Sequence, residues 1–428
     1  MTTAASVNLW GTRIGTVALE DGSPVARFEY DRDFIGSGIE LSPVAMPLGG
    51  ATYSFPALPR ETFLGLPGLL ADSLPDRFGA QVLASWLDSQ GRSRESVNAV
   101  ERLCYTGARG MGALEYEPAY DAGADRSQKI AVDALARLAN DILNERRDLR
   151  FNADEQAMRQ MIKVGMSAGG ARPKAVVAWN ERTGEFRSGQ ADAGAGFTHW
   201  LMKFDGERVG GTVTTESLGF TRIEYAYHLM ATAAGVEMPE CRLYEEAGQC
   251  HFLTRRFDRP GESGSKLHMQ TLAAIAHFDY NDPGAHSYEQ AVRVMRRMRL
   301  GQDEVEQFYR RMVFNILAAN CDDHVKNTSF LMDRSGAWRL APAYDVTYAY
   351  DPGSRWLKAH QMSANGKLEG FTREDLIAAA RHMSIGARKA HRAIDEVRAA
   401  LADWMLYAES AGVGEREALE VEAALSRL

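Results

Sequence analysis

Strands and helices are segregated along this chain, and that order constrains the fold more than any other feature. Short alternating or apolar runs bounded by Gly, Asp and Pro crowd the part before about residue 260. Helical periodicity dominates from about Tyr288 to the end. Such an order excludes a regular βαβ sheet and predicts an α+β chain of two lobes. The first run, "VNLWGTRIGTVALEDGSPVARFEYD", reads as a small antiparallel meander. From about Glu61 the period turns helical in "RFGAQVLASWLDSQ" and "SVNAVERLCYTG", and "KIAVDALARLANDILNE" resumes it past a Gly/Asp-rich break. Strands return as "PKAVVAWN", "GEFRSG" and "THWLMKF"; a helix "RIEYAYHLMATAAG" and a strand pair "CRLYEEAG" and "QCHFLTRRF" follow. The units expected are 1–120, 121–260 and 261–428, the last boundary falling in the polar loop "DRPGESGSK".

A net charge of -8 argues against a basic nucleic-acid surface, while leaving room for contact with DNA through a basic partner. Cys104, Cys241, Cys250 and Cys321 have no CxxC spacing, so neither a zinc site nor a disulfide framework is expected; Cys241 and Cys250 read as buried thiols. The start, "MTTAASVNLWGTRIG", has no basic region before an apolar run, and no later stretch is apolar enough to span a bilayer. The expected setting is the cytoplasm, without a membrane.

Four features stand in the order that phosphoryl transfer requires. In "GMSAGGARPKAVVAW", Gly169 and Gly170 precede an apolar strand that Lys174 opens; glycines let backbone N–H groups approach phosphate oxygens, and the lysine adds charge. In "HWLMKFDG", Lys203 interrupts an apolar strand, and Glu224 on the next helix is spaced to pair with it, as the strand lysine and helix glutamate of protein kinases do. In "CDDHVKNTSF", Asp322 and Asn327 have the D-x-x-x-x-N spacing of a kinase base and metal ligand, whereas Asp323 and Asn327 do not. Lys326 is placed to neutralise the transferring phosphoryl group, and His324 to orient the loop by hydrogen bonds. In "RLAPAYDVTYAY", Asp345 is the only acid in an apolar and aromatic run, where it needs a metal or a hydrogen-bonding partner.

With these features in order, the chain resembles the HipA family, the serine/threonine-kinase toxins of HipBA-type toxin–antitoxin modules. The strongest likeness is "CDDHVKNTSFLMDRSGAWRLAPAYDV"; "SAGGARPKA" looks like the family's phosphate loop and "RRFDR" like its hinge. "GLLADSLPDRFG" and "GARGMGALEYEP" resemble signatures of its first subdomain. The resemblance implies a two-lobed protein-kinase-like fold, with a β-rich N-terminal subdomain over 1–120, a part like a kinase N-lobe over 121–260 and a helical C-lobe over 261–428. It implies ATP and Mg²⁺ as cofactors, Asp322 as catalytic base with Lys326 beside it, and Asn327 and Asp345 as Mg²⁺ ligands. Lys203, paired with Glu224, would bind ATP phosphates, and Lys174 with the Gly169–Gly170 backbone would close over the nucleotide. Backbone groups of Arg255 and Phe257 would hold adenine, Asp258 would lie near the ribose, and His324 counts with the nucleotide-binding residues. Ser167 matches the serine that the family autophosphorylates. Implied partners are a HipB-like helix-turn-helix antitoxin, DNA only through it, and a protein substrate such as an aminoacyl-tRNA synthetase.

The sequence departs from the family at Arg172-Pro173, where proline removes a backbone donor from the phosphate loop, and at Arg255, where Glu is common. Asp323 occupies a position where relatives tolerate glycine, so a turn-forming or electrostatic role is expected, with Asp323→Gly keeping most activity. Two other readings remain: a kinase-fold co-repressor that holds an antitoxin on its operator, and a metal-dependent phosphohydrolase with Asp322, Asp323 and His324 as ligands.

Overall fold

The computed structural model describes residues 3–120, 129–143, 160–162, 164–165, 172–190, 193–205, 207–209, 215–217, 219–261 and 265–425. The first run does form an antiparallel meander: β1 (Thr3–Leu9), β2 (Thr12–Leu19), β3 (Arg27–Tyr30) and β4 (Thr52–Tyr53). A further strand, β5 (Leu114–Glu117), returns to the free edge of β1, which gives the order β4-β3-β2-β1-β5. Alternation places Val7, Leu9, Val17 and Phe28 in a core with Leu69, Leu70, Val100 and Leu103. The helix Ala99–Thr106 starts with a full capping box, in which Asn98 and Glu101 satisfy each other's backbone N–H groups.

The second sheet is antiparallel throughout. Strands β6 (Lys174–Asn180), β7 (Glu185–Ser188) and β8 (Thr198–Lys203) are followed by the ribbon β9 (Glu207–Val209) and β10 (Thr215–Ser217), then by β11 (Cys241–Glu246) and β12 (Gln249–Arg255). The sheet order is β11-β12-β8-β6-β7. Successive side chains alternate faces, so Ala175, Val177, Trp200, Met202 and Leu253 share one face. That face packs on Phe78, Val82 and Leu83 of the helix Arg77–Ser89 and on Leu135, Ala136 and Ala139 of the helix Val132–Leu143. Lys174, Leu201, Lys203 and Thr254 fall on the other face. Cys241 lies opposite Thr254 and Cys250 opposite Glu245, so these thiols do not meet; all four cysteines are buried and free.

The third core is helical. Tyr227 and Met230 of the helix Phe220–Ala233 pack with Phe308, Met312 and Phe314 of Gln302–Leu317, and with Ile394 and Trp404 further on. Among the described residues, no helix is long and apolar enough to cross a membrane.

A buried charge cluster joins the first layer to the second. Asp258, with no exposed surface, accepts from Arg256 Nε at 2.9 Å, Arg259 Nη1 at 2.7 Å and the Gly112 backbone N–H at 2.7 Å. Burial alone would raise its pKa, but Arg256 and Arg259 outweigh that and hold it far below the ordinary range. Gly112 is required there, because it has φ +75 and an added Cβ would lie 2.8 Å from Met269 N. Asp258 borders the central cavity, yet its carboxylate is fully engaged. Its carboxylate acts as a strut between layers. Asp258→Asn leaves two buried guanidinium groups without a counter-charge, a type of change that costs about 3–5 kcal/mol. Urea unfolding should show that loss, and an unchanged midpoint would remove the strut role.

Candidate active site

Lys174 and Lys203 are direct partners across β6 and β8, on the same face of the sheet, and both are buried. Like charges so placed repel, and burial removes the water that would screen them. Carboxylates answer the repulsion. The Lys203 ammonium donates to Glu224 Oε1 at 2.5 Å and to Asp345. Burial works against its charge, but Asp345 and Glu224 prevail and raise its pKa above the ordinary value. The expected strand–helix pair is therefore formed. Asp345 is drawn well below the usual carboxylate range, because Lys203 and Lys174 together outweigh its burial. Its backbone is left-handed, with φ 52, uncommon outside glycine. Lys174 makes no such bond among the described residues; burial lowers its pKa against the opposing pull of Asp345 and Asp76.

The loop after the helix Gln302–Leu317 is held from several sides. Cys321 N–H donates to Ala349 O at 3.0 Å, Asn327 N–H to His324 O at 2.8 Å, and Asn327 Nδ2 to Asp322 O at 2.8 Å. The two neighbouring acids then part. The Asp322 side chain is 45% exposed, faces the cavity and accepts from Gln361 Nε2 at 2.8 Å. The Asp323 side chain is fully buried and accepts from Tyr288 Oη at 2.7 Å, His360 Nδ1 at 2.9 Å and Gln361 N at 2.7 Å. Asp323 is thus an anchor and not a turn residue, and Asp323→Gly is expected to cost stability and not to be tolerated. The split also commits Asp323 to partners in the core while Asp322 faces the cavity, a division the phosphohydrolase reading does not expect. His324 Nε2 lies 3.7 Å from Asp322 Oδ1, beyond hydrogen-bond distance. The loop is oriented by Gln361, Tyr288 and His360 instead, residues that no local sequence signal marks.

A cavity of about 780 Å³ joins these parts; Asp322, His324, Lys326, Asn327 and Asp345 line it together with Arg255 and Phe257. Its size suits a cofactor-sized ligand. At the hinge, Arg255 N–H already donates to Glu240 O at 2.8 Å, so that donor is engaged, while its guanidinium pairs with Glu240 Oε2 at 3.0 Å. The Phe257 ring lies 5.8 Å from that of Tyr344, whose hydroxyl donates to Lys326 O at 2.8 Å, and this ties hinge to loop. The Lys326 ammonium stands 5.0 Å from the Tyr280 ring centre. Burial opposes its charge, but Tyr280, Asp76 and Asp72 raise its pKa. Asn327, its amide nitrogen engaged by Asp322, and Asp345 offer hard oxygen donors on one cavity, a set that fits Mg²⁺. Ser167, Gly169 and Gly170 lie outside the described residues.

The wall opposite the loop comes from the N-terminal layer, through Asp72, Pro75 and Asp76. Thr271 donates to Asp72 twice, N–H to Oδ2 and Oγ1 to Oδ1, both at 2.7 Å. Sequence reasoning passed over both acids; an Asp after Pro at a helix start, as in "LPDRFG", reads simply as a cap.

The His360–Asp323 pair makes stability depend on pH. Burial alone would lower the imidazole pKa, but Asp323 raises it to about 10. A raised pKa in the folded state gives stability that is complete below about 6.5, the ordinary histidine value, and is lost as pH climbs through about 10. Thermal unfolding should show a falling Tm across that window, and His360→Asn should flatten the fall. An equal slope in both proteins would exclude the pair as its cause.

Comparison with known proteins gives the same architecture. The model of the HipA-like C-terminal domain matches residues 166–405, and that of the HipA N-terminal domain residues 5–117. The HipA chain in a structure of the Shewanella oneidensis MR-1 toxin–antitoxin system HipA, HipB and its operator DNA aligns over 98% of this chain and 94% of its own. The TM-score is 0.65 at 16% identity. The expected two-lobed, protein-kinase-like α+β fold is therefore the fold of this chain. Two curated relatives come from Sinorhizobium fredii (strain NBRC 101917 / NGR234). "Putative kinase Y4dM" is 25% identical over 195 residues, 41% of this chain and 44% of that protein. "Putative kinase Y4mE" is 27% identical over 171 residues, 35% and 40% respectively. The chain thus spans less than half the length of these curated relatives.

Proposed function

The chain belongs to the HipA family, and from its cavity we propose that it is an ATP-dependent serine/threonine protein kinase of the HipA toxin type. One observation carries the reading: Lys203 bridges Glu224 and Asp345, and Asp345 lines the same cavity as Asp322 and Asn327. In this reading Lys203 and Lys174 would meet the ATP phosphates, and backbone groups of Arg255 and Phe257 would hold adenine. Asn327 and Asp345 would hold Mg²⁺, which supplies charge neutralisation to the phosphates when bound. A substrate hydroxyl oxygen attacks the γ-phosphorus, the bond to the β–γ bridging oxygen breaks, and ADP leaves with that electron pair. Asp322, held by Gln361, takes the hydroxyl proton as the new bond forms. Lys326 faces the charge that develops on the phosphoryl oxygens.

Ser167 is the proposed autophosphorylation site, and a translation component such as an aminoacyl-tRNA synthetase the proposed substrate. The acidic balance of the chain suits a basic, DNA-binding HipB-like antitoxin as partner, and a co-repressor role in that complex is compatible with kinase activity. Asp322→Asn should lower phosphate transfer from γ-labelled ATP by about 10²-fold or more while nucleotide binding persists. Full labelling by that variant would remove Asp322 from the role of base.

A further inference from the structure

Asp76 is the N-cap residue of the helix Arg77–Ser89, yet its side chain makes no capping bond. Both carboxylate oxygens are buried and, among the described residues, neither meets a donor within hydrogen-bond distance; the Gly79 N–H, the third amide of the helix, is the backbone group that acts on them. A buried acid left in this state is costly unless opposite charge lies close. That charge is at hand: Asp76 and Lys326 line the same cavity, and Phe78 of the same helix packs in one core with Ala175, next to Lys174. Burial raises the Asp76 pKa, and the opposing pull comes first from Lys174 and then from Lys326. Among the described residues no carboxylate is bonded to either of these lysines, whereas Lys203 has Glu224 and Asp345. The segment is held in place independently, because Asp72 is clamped by Thr271.

We infer that Asp76, supplied by the N-terminal layer, is a positioning residue for phosphoryl transfer that holds the Lys174 and Lys326 ammonium groups from behind. It does not touch the reacting atoms. The inference rests on the kinase reading and extends the site to a part of the chain outside the kinase-like lobes. It also sets two effects against each other. Asp76 and the nucleotide phosphates compete for the same lysines, so removing the acid's charge strengthens ground-state phosphate binding. The lysines meanwhile lose the group that orients them, and transfer slows. A merely structural Asp76 would weaken binding and turnover together.

The test compares wild type, Asp76→Asn, Asp76→Glu and Asp322→Asn in the full chain, reading the Kd for ADP, kcat with γ-labelled ATP, and Tm. Asp76→Asn should lower kcat at least tenfold while the Kd for ADP stays level or falls, and Asp76→Glu should recover part of the loss. A kcat within twofold of wild type, or a Kd for ADP raised in both Asp76 variants, overturns the inference. If Asp76→Asn does not fold, Asp76→Glu decides: a Kd and kcat falling together with Tm overturn it, and a kcat loss at unchanged Kd supports it. Absent labelling by wild type, or full labelling by Asp322→Asn, sinks the kinase reading instead; the Kd for ADP then still judges Asp76.

Discussion

The ion pair of Lys203 with Glu224 and Asp345 is the interaction on which the rest of the site depends. It ties together a strand, the helix Phe220–Ala233 and the segment after the hairpin Ser329–Leu340. None of the three charges could be buried alone, since an unpaired buried ion costs several kcal/mol. Together they fix where the sheet and the helical lobe meet, and hence where the cavity opens. The left-handed backbone at Asp345 belongs to the same arrangement: a strained conformation persists because the charges around it determine its position.

The doubled acid shows how one loop divides its tasks between adjacent residues. Asp322 keeps a half-exposed carboxylate toward the cavity, while Asp323 is anchored in the core by a tyrosine, a histidine and a backbone amide. Gln361 touches both, its backbone bonding one acid and its side chain the other. The anchor therefore reaches the exposed acid through a single residue, which limits the positions Asp322 can adopt.

Much of this was legible in the sequence because it depends on short-range pattern. Alternation identified the meander, the apolar run around Lys203 marked an anion site, and the five-residue spacing chose Asp322 over its neighbour. What escaped was long-range. The pairing of β5 with β1 links residues more than a hundred positions apart in the chain, and nothing in "LEYE" declares its partner. His360, Gln361 and Tyr288 carry no motif, and their importance arises only when the fold brings them to Asp323. The bond from the Gly112 N–H to Asp258 is equally long-range, and nothing near Asp258 declares it.

The return of β5 to β1 also has a meaning for how the chain acquires its shape. The sheet of the first layer closes when Ser6 meets Glu117, before the first strand of the second sheet begins at Lys174. During synthesis from the N-terminus, the whole first layer is available to assemble while the catalytic strands are still unmade. The core around Val7, Val17, Phe28 and Leu103 can then exist as a preformed surface on which the later lobes condense.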